Sequence, residues 1–194
     1  MSQIKKGKIL IFSAPSGAGK TTLLNYLVEK IPSLVYSISA TTRKPRSGEA
    51  NGVHYFFMDK EEFERWIDEG KFAEWELVHG NYYGTPREFI DSVINSGKHI
   101  VMDIDVFGKK KFDRVYPEAV GILIVPPSME ELERRLRGRN TDEEEVIQTR
   151  LKNAVKELQF ARKEGRYEYE IVNDNLETAR SSLLGLVKRL TDES

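Results

Sequence analysis

The octapeptide Ala-Pro-Ser-Gly-Ala-Gly-Lys-Thr at residues 14–21 has the densest set of chemically useful residues in this chain. Closely spaced Gly17 and Gly19 free the backbone to wrap an anion and turn its N–H groups inward. Lys20 adds a mobile positive charge, and Thr21 adds a hydroxyl that can ligate Mg²⁺. Ala14, Pro15, Ser16, Gly17, Ala18, Gly19, Lys20, Thr21 and Thr22 therefore form the expected phosphate cradle. The consensus spacing G-x-x-x-x-G-K-[ST] wants Gly where Ala14 stands; Ala is the smallest replacement. The flanks suit the motif. Ile9-Leu10-Ile11-Phe12 precedes it as an apolar strand, and Leu23, Leu24, Leu27 and Val28 follow at helical spacing. Strand, loop and helix in that order make a P-loop, with the positive end of the helix dipole aimed at the anion.

Four further groups of residues bear on chemistry. In Thr-Thr-Arg-Lys-Pro-Arg (41–46), Arg43 and Arg46 lie three apart on a chain stiffened by Pro45. Two guanidinium forks at that spacing can hold one phosphate, and Tyr55 could add a hydroxyl. The same residues could equally make a solvated basic loop. In Phe-Ala-Glu-Trp-Glu (72–76), Glu74 stands among apolar residues on a strand. A carboxylate there can accept from a base with adjacent N–H donors, which guanine has and adenine lacks. Strict strand alternation would instead point Glu74 to solvent. Asp103 ends the apolar strand His99–Asp103 and Asp105 follows two residues on, where P-loop enzymes place a carboxylate near Mg²⁺; either could cap the next helix. Arg134, Arg135, Arg137, Arg139 and Arg150 form a helical arginine set of the kind that neutralises a phosphoryl group in transit. Amphipathic helices also carry such arginines with no catalytic task.

The elements that must position these groups alternate along the chain. Apolar strands are expected at 9–13, 34–39, 99–103, 121–125 and 170–173, with helices between them, which predicts an α/β doubly wound core. Residues 39–83 break that rhythm: they are strand-dense and predict a separate small sheet, with an exposed loop over 41–53. Residues 128–165 are helical and arginine-rich. Capping pairs are expected at Asp59/Glu62, Thr85/Glu88, Ser128/Glu131 and Thr141/Glu144. The chain has 194 residues, 39% hydrophobic and 31% charged, with net charge −1 and no cysteine. Disulfides, thiolate metal sites and cysteine nucleophiles are thus excluded. No global field draws in nucleic acid, and no apolar run approaches the ~20 residues of a membrane span.

Read in order, A-P-S-G-A-G-K-T, T-T-R-K-P-R-S-G-E, H-Y-F-F, F-A-E-W, G-N-Y-Y-G-T, D-I-D, P-P-S, L-R-G-R and I-V-N-D resemble the guanylate kinase family over nearly the whole chain. The bacterial branch of that family often has Ala at the place of Ala14. The resemblance implies a P-loop kinase core with a parallel sheet flanked by helices (about 1–38, 86–127 and 166–194). It also implies an inserted GMP-binding mixed α/β subdomain (about 39–85) and a helical lid (about 128–165). The implied reaction moves the γ-phosphate of ATP to GMP with Mg²⁺. By similarity, residues 14–22 bind ATP and Thr21 ligates the metal. Arg43, Arg46, Tyr55 and Tyr83 grip the GMP phosphate. Ser39, Glu74 and Thr85 read guanine, with Thr85 standing where many relatives have Ser. Asp103 and Asp105 match acidic positions near the nucleotides. Lys20, Arg43, Arg135, Arg139 and Arg150 are the implied catalytic set. His54, His79 and His99 need no catalytic role and are assigned to structure or surface. The implied partners are ATP and GMP, with dGMP left open, and no nucleic acid, membrane or obligatory protein partner. The implied location is the cytoplasm. Two rivals remain: a family-related binding module without activity, which predicts a degraded P-loop, and a kinase for another nucleoside monophosphate.

Overall fold

The structure, a computed structural model, describes residues 5–78, 80–138 and 143–192. Its centre is β1 (Ile9–Ser13), all five residues of which are buried. Burial on both faces is what a uniformly apolar strand of a parallel sheet demands. β1 lies between β7 (His99–Asp103) and β8 (Val120–Val125); β2 (Leu34–Tyr36) and β9 (Tyr169–Val172) form the edges, giving the order β2-β7-β1-β8-β9. All four pairings are parallel. The two-residue period of β1 splits its side chains. Leu10 and Phe12 join Leu23, Leu24 and Leu27 of α1 (Lys20–Lys30) and Leu183, Leu186 and Val187 of α7 (Leu176–Asp192). Ile9 and Ile11 join Ile90, Val93 and Ile94 of α3 (Arg87–Asn95) and Phe112 of α4 (Val106–Phe112). Each such side chain contributes ~1.5–3 kcal/mol by leaving water, so the strand that ends in the glycine-rich loop is held from both sides.

Residues 40–86 build a second sheet, ordered β4-β3-β6-β5, from β3 (Ala40–Thr41), β4 (Phe56–Phe57), β5 (Phe72–Val78) and β6 (Asn81–Pro86). Helix α2 (Lys60–Asp68) covers it through Phe63, which stacks on Phe72 at 4.3 Å and on Tyr82 at 5.2 Å between ring centroids. α5 (Met129–Arg137) and the long α6 (Glu144–Glu164) pack on each other through Leu132, Leu136, Ile147 and Ala154.

Several local expectations need correcting. Thr41 is no loop residue: it is buried in β3, and its hydroxyl donates to the Tyr82 carbonyl at 2.9 Å. Thr85 and Glu88 form no capping pair, because β6 runs through Pro86 and the Thr85 hydroxyl turns across the sheet instead. Asp59 stands at the start of α2 without a side-chain cap bond. Ser128 does cap α5, accepting from Glu131 N at 3.2 Å. Thr141 lies outside the described residues, and α6 begins after Glu143.

Candidate active site

The loop after β1 has the backbone its composition requires. Gly17 and Gly19 sit at φ 93° and 89°, in the left-handed region that only glycine enters without strain. Gly19 is the N-cap of α1, so the helix N-terminus opens directly onto the loop. Two bonds fix the curve: Ala18 N donates to the Pro15 carbonyl at 3.1 Å, and buried Asn173 Nδ2 donates to the Ala18 carbonyl at 2.7 Å. Loop residues 14–17 and 19–22 line a cavity of about 390 Å³, with the carboxylates of Asp105 and Glu157 also on its wall. Lys20 makes an ion pair with Asp103. Burial, then the neighbouring Asp105 charge, raises the Glu157 pKa above the usual carboxylate value.

A second cavity of about 370 Å³ opens beside the first, and Asp105 borders both. It gathers Ser39, Tyr55, Glu74, Tyr83, Thr85, Asp103 and Asp105. The position of Glu74 has a specific cause. β5 and β6 shift register between Phe72 and Glu74, so Ala73 is an extra residue on the bulged strand. That bulge cancels the simple alternation, and Glu74 faces inward rather than to solvent. Its Oε1 accepts the Thr85 hydroxyl at 2.7 Å directly across the strand pair. Burial raises its pKa, with the Thr85 bond opposing the rise. Asp105 has a second task that composition also allowed: its Oδ1 accepts Phe107 N and Gly108 N at 2.8 Å each, capping α4.

The arginines are arranged less simply. Arg43 forks onto Glu49 at 2.8 and 3.0 Å, and its guanidinium lies 5.4 Å from the centroid of the Tyr55 ring. Glu49 also accepts the Arg46 backbone N–H at 2.7 Å. These bonds, with the Arg43 fork the largest, hold the Glu49 carboxyl down to about 2. Arg46 is exposed, and its side chain borders neither cavity. Arg135 binds Glu131, the Asn173 carbonyl at 2.8 Å and the Asp174 carbonyl at 3.0 Å, which ties α5 to the end of β9. Arg134 and Arg137 pair with Glu131 and Glu144. Arg150 sits on α6 and borders neither cavity. Arg139 and His79 lie outside the described residues.

Sequence reasoning gave no site role to Tyr36, His54 and Glu157, which line these cavities, or to Glu49 and Asn173, which hold the loops beside them. Tyr36 lines the second cavity and donates to Asp103 at 3.5 Å. His54, read as structural, accepts Ala50 N through Nδ1 and also lines that cavity. Glu157 and Asn173 reach the P-loop from a distance in sequence, whereas Glu49 holds its own loop, six residues from Arg43. His54, Glu49 and Asn173 had a visible signal, inside the H-Y-F-F, T-T-R-K-P-R-S-G-E and I-V-N-D motifs.

A parallel α/β sheet with a P-loop at the carboxyl end of its central strand defines the class: a P-loop kinase fold. Known proteins narrow it. The sequence matches the guanylate kinase family model over residues 6–190. It is 44% identical to guanylate kinase of Rubrobacter xylanophilus, covering 96% of both chains. It is 46% identical to that of a Synechocystis strain, covering 94% of both. The crystal structure of guanylate kinase from Anaplasma phagocytophilum superposes with a TM-score of 0.71 at 35% identity, over 96% of this chain and 87% of that one. The chain belongs to the guanylate kinase family, enzymes that phosphorylate GMP to GDP with ATP. Among the described residues, no helix is long and apolar enough to cross a membrane.

Proposed function

We propose that the chain transfers the γ-phosphate of ATP to GMP at the junction of the two cavities, in a Mg²⁺-dependent step. The observation that carries this is the shared wall at Asp105: an anion cradle and a carboxylate-lined pocket open side by side. ATP phosphates would lie on the 14–22 loop with Lys20. GMP would lie in the second cavity, its base against Glu74, Thr85 and Ser39, and its phosphate toward Arg43, Arg46, Tyr55 and Tyr83. A base without the adjacent N–H pair would leave a buried carboxylate unsatisfied, which favours guanine. Thr21, Asp105 and Glu157 present hard oxygen ligands around the first cavity, the donor type that Mg²⁺ takes. When bound, the metal supplies charge neutralisation across the phosphates.

The nucleophile is a GMP phosphate oxygen, ionised near neutral pH, so no general base is needed. The protein's part is then to position, to neutralise charge and to exclude water. Lys20 and Arg43 both start paired with carboxylates, Asp103 and Glu49, and substrate phosphates would compete for them. Residues 39–85 form the GMP-binding subdomain and 128–165 the lid, and both close when both nucleotides are present. Arg135, Arg139 and Arg150 are the lid arginines of the reaction. Asp103 and Asp105 complete the nucleotide surroundings. The chain acts in the cytoplasm, recycling GMP toward GTP and dGTP precursors.

The test is ADP formation from ATP and Mg²⁺ with GMP, with no acceptor, or with AMP, CMP or dTMP. Turnover that requires GMP is the expected result. Turnover with another acceptor would overturn the base assignment. No turnover from folded protein would favour the binding-module alternative, against which the intact Lys20 and Thr21 speak.

A further inference from the structure

Glu157 is a carboxylate with no bonded partner in a cavity built for anions. It projects from α6 onto the wall of the P-loop cavity, and it makes no hydrogen bond or ion pair with any described residue. Its neighbour Asp105 is committed elsewhere, since one oxygen caps α4. A triphosphate entering this cavity meets the loop amides and Lys20 on one side and two carboxylates on the other. Phosphate oxygens and carboxylates repel, and the repulsion is strong in a half-buried setting. A divalent cation between them, its water shell donating to carboxylate oxygens, turns that repulsion into attraction.

We propose that Glu157 makes ATP affinity depend on the accompanying divalent cation, acting as a positioning residue that brings α6 onto the metal-loaded nucleotide. The proposal rests on reading the P-loop cavity as the ATP site. Metal-free ATP is turned away by Glu157, whereas Mg·ATP draws it in. Because Glu157 sits on the same helix as Arg150, the same contact pulls the proposed lid down only on the correctly loaded donor. It selects the ionic form of the substrate rather than its base.

The experiment is calorimetric titration of ATP into the full chain without GMP, once with Mg²⁺ and once with EDTA. Wild type is expected to favour Mg·ATP. In Glu157→Gln, metal-free ATP should bind about 10-fold tighter, so that the ratio of the two affinities falls about 10-fold. Glu157→Asp should keep most of the ratio. A purely structural role would move both affinities together and leave the ratio alone. An unchanged ratio in Glu157→Gln, or a wild type without metal preference, overturns the proposal. Lys20→Ala tests the underlying reading separately: ATP binding by wild type that Lys20→Ala weakens in both buffers upholds the ATP site whatever Glu157→Gln does. A wild type that binds no ATP in either buffer ends both.

Discussion

The two cavities that meet at Asp105 are made by opposite means. The P-loop cavity is chiefly backbone: glycines at positive φ, a helix N-terminus and loop amides, all within residues 14–22. The neighbouring cavity is chiefly side chain, with Ser39, Tyr55, Glu74, Tyr83 and Thr85 arriving from four strands or loops of a small sheet. A backbone cradle suits any phosphate and rests on two glycines and a helix. A side-chain pocket can choose among bases, but it depends on register, bulge and rotamer. The contrast teaches that, on the proposed reading, backbone holds the general part of a substrate and side chains choose its specific part, in two cavities that share a wall at Asp105.

Substitutions can sharpen or break that separation. The largest effect is expected from Lys20→Ala, which should lower kcat by at least about 10²-fold with the fold intact. Near-normal turnover would remove the cradle from the chemistry. Next comes Glu74→Gln, expected to raise KM for GMP about 10²-fold while KM for ATP moves less than about twofold. Equal changes for both nucleotides would erase the contrast between the cavities. The same carboxylate gives a pH signature. Its pKa is raised from 4.5, so GMP binding should weaken on acidification at a higher pH than an ordinary glutamate would cause, and Glu74→Gln should abolish that dependence.

A smaller effect is expected at Glu49→Gln, which removes the fork that holds Arg43 beside the Tyr55 ring. This loss of orientation should outweigh the relief of competition and raise KM for GMP about 5–10-fold. The Glu49 pKa is shifted in the direction opposite to that of Glu74, so its interaction survives to lower pH. Glu49 titrates near 2 instead of 4.5, so its ion pair is fully present above pH 4.5 and lost as pH falls toward 2. An acid titration of loop order by hydrogen exchange would see this, and wild-type ordering lost already above pH 5 would contradict it. The smallest effect concerns stability. A buried acid with a raised pKa costs stability above its unfolded value and regains it as pH falls through the folded one. Ligand-free Glu74→Gln should therefore melt about 1–3 °C higher than wild type at pH 7. A lower Tm would mean that the charged form of Glu74 supports the fold.

Legibility in the sequence followed the same division. The P-loop could be read from one octapeptide because its cause is local: backbone freedom at Gly17 and Gly19 and the run of leucines after them. The parallel core was legible because strands buried on both faces are apolar throughout, as in Ile9–Phe12. Glu74 was harder. Period-two alternation pointed it outward, and only the bulge at Ala73, which needs the partner strand to be defined, turns it in. Thr41 falls in the expected loop for a related reason, since a strand as short as the two-residue β3 has no periodicity of its own. Glu157 carried no signal, because one glutamate among the charges of a long helix looks like all the others until the helix is packed. The placement of Arg43 on Glu49 was hidden too, although the two lie six residues apart in a motif already singled out.

The bond from Asn173 to the Ala18 carbonyl spans 155 positions of the chain. The curve of the glycine-rich loop is therefore a long-range property: it is held only when β9 has paired on β8 and carried Asn173 to the loop. A motif that reads as local takes its shape from the assembled sheet.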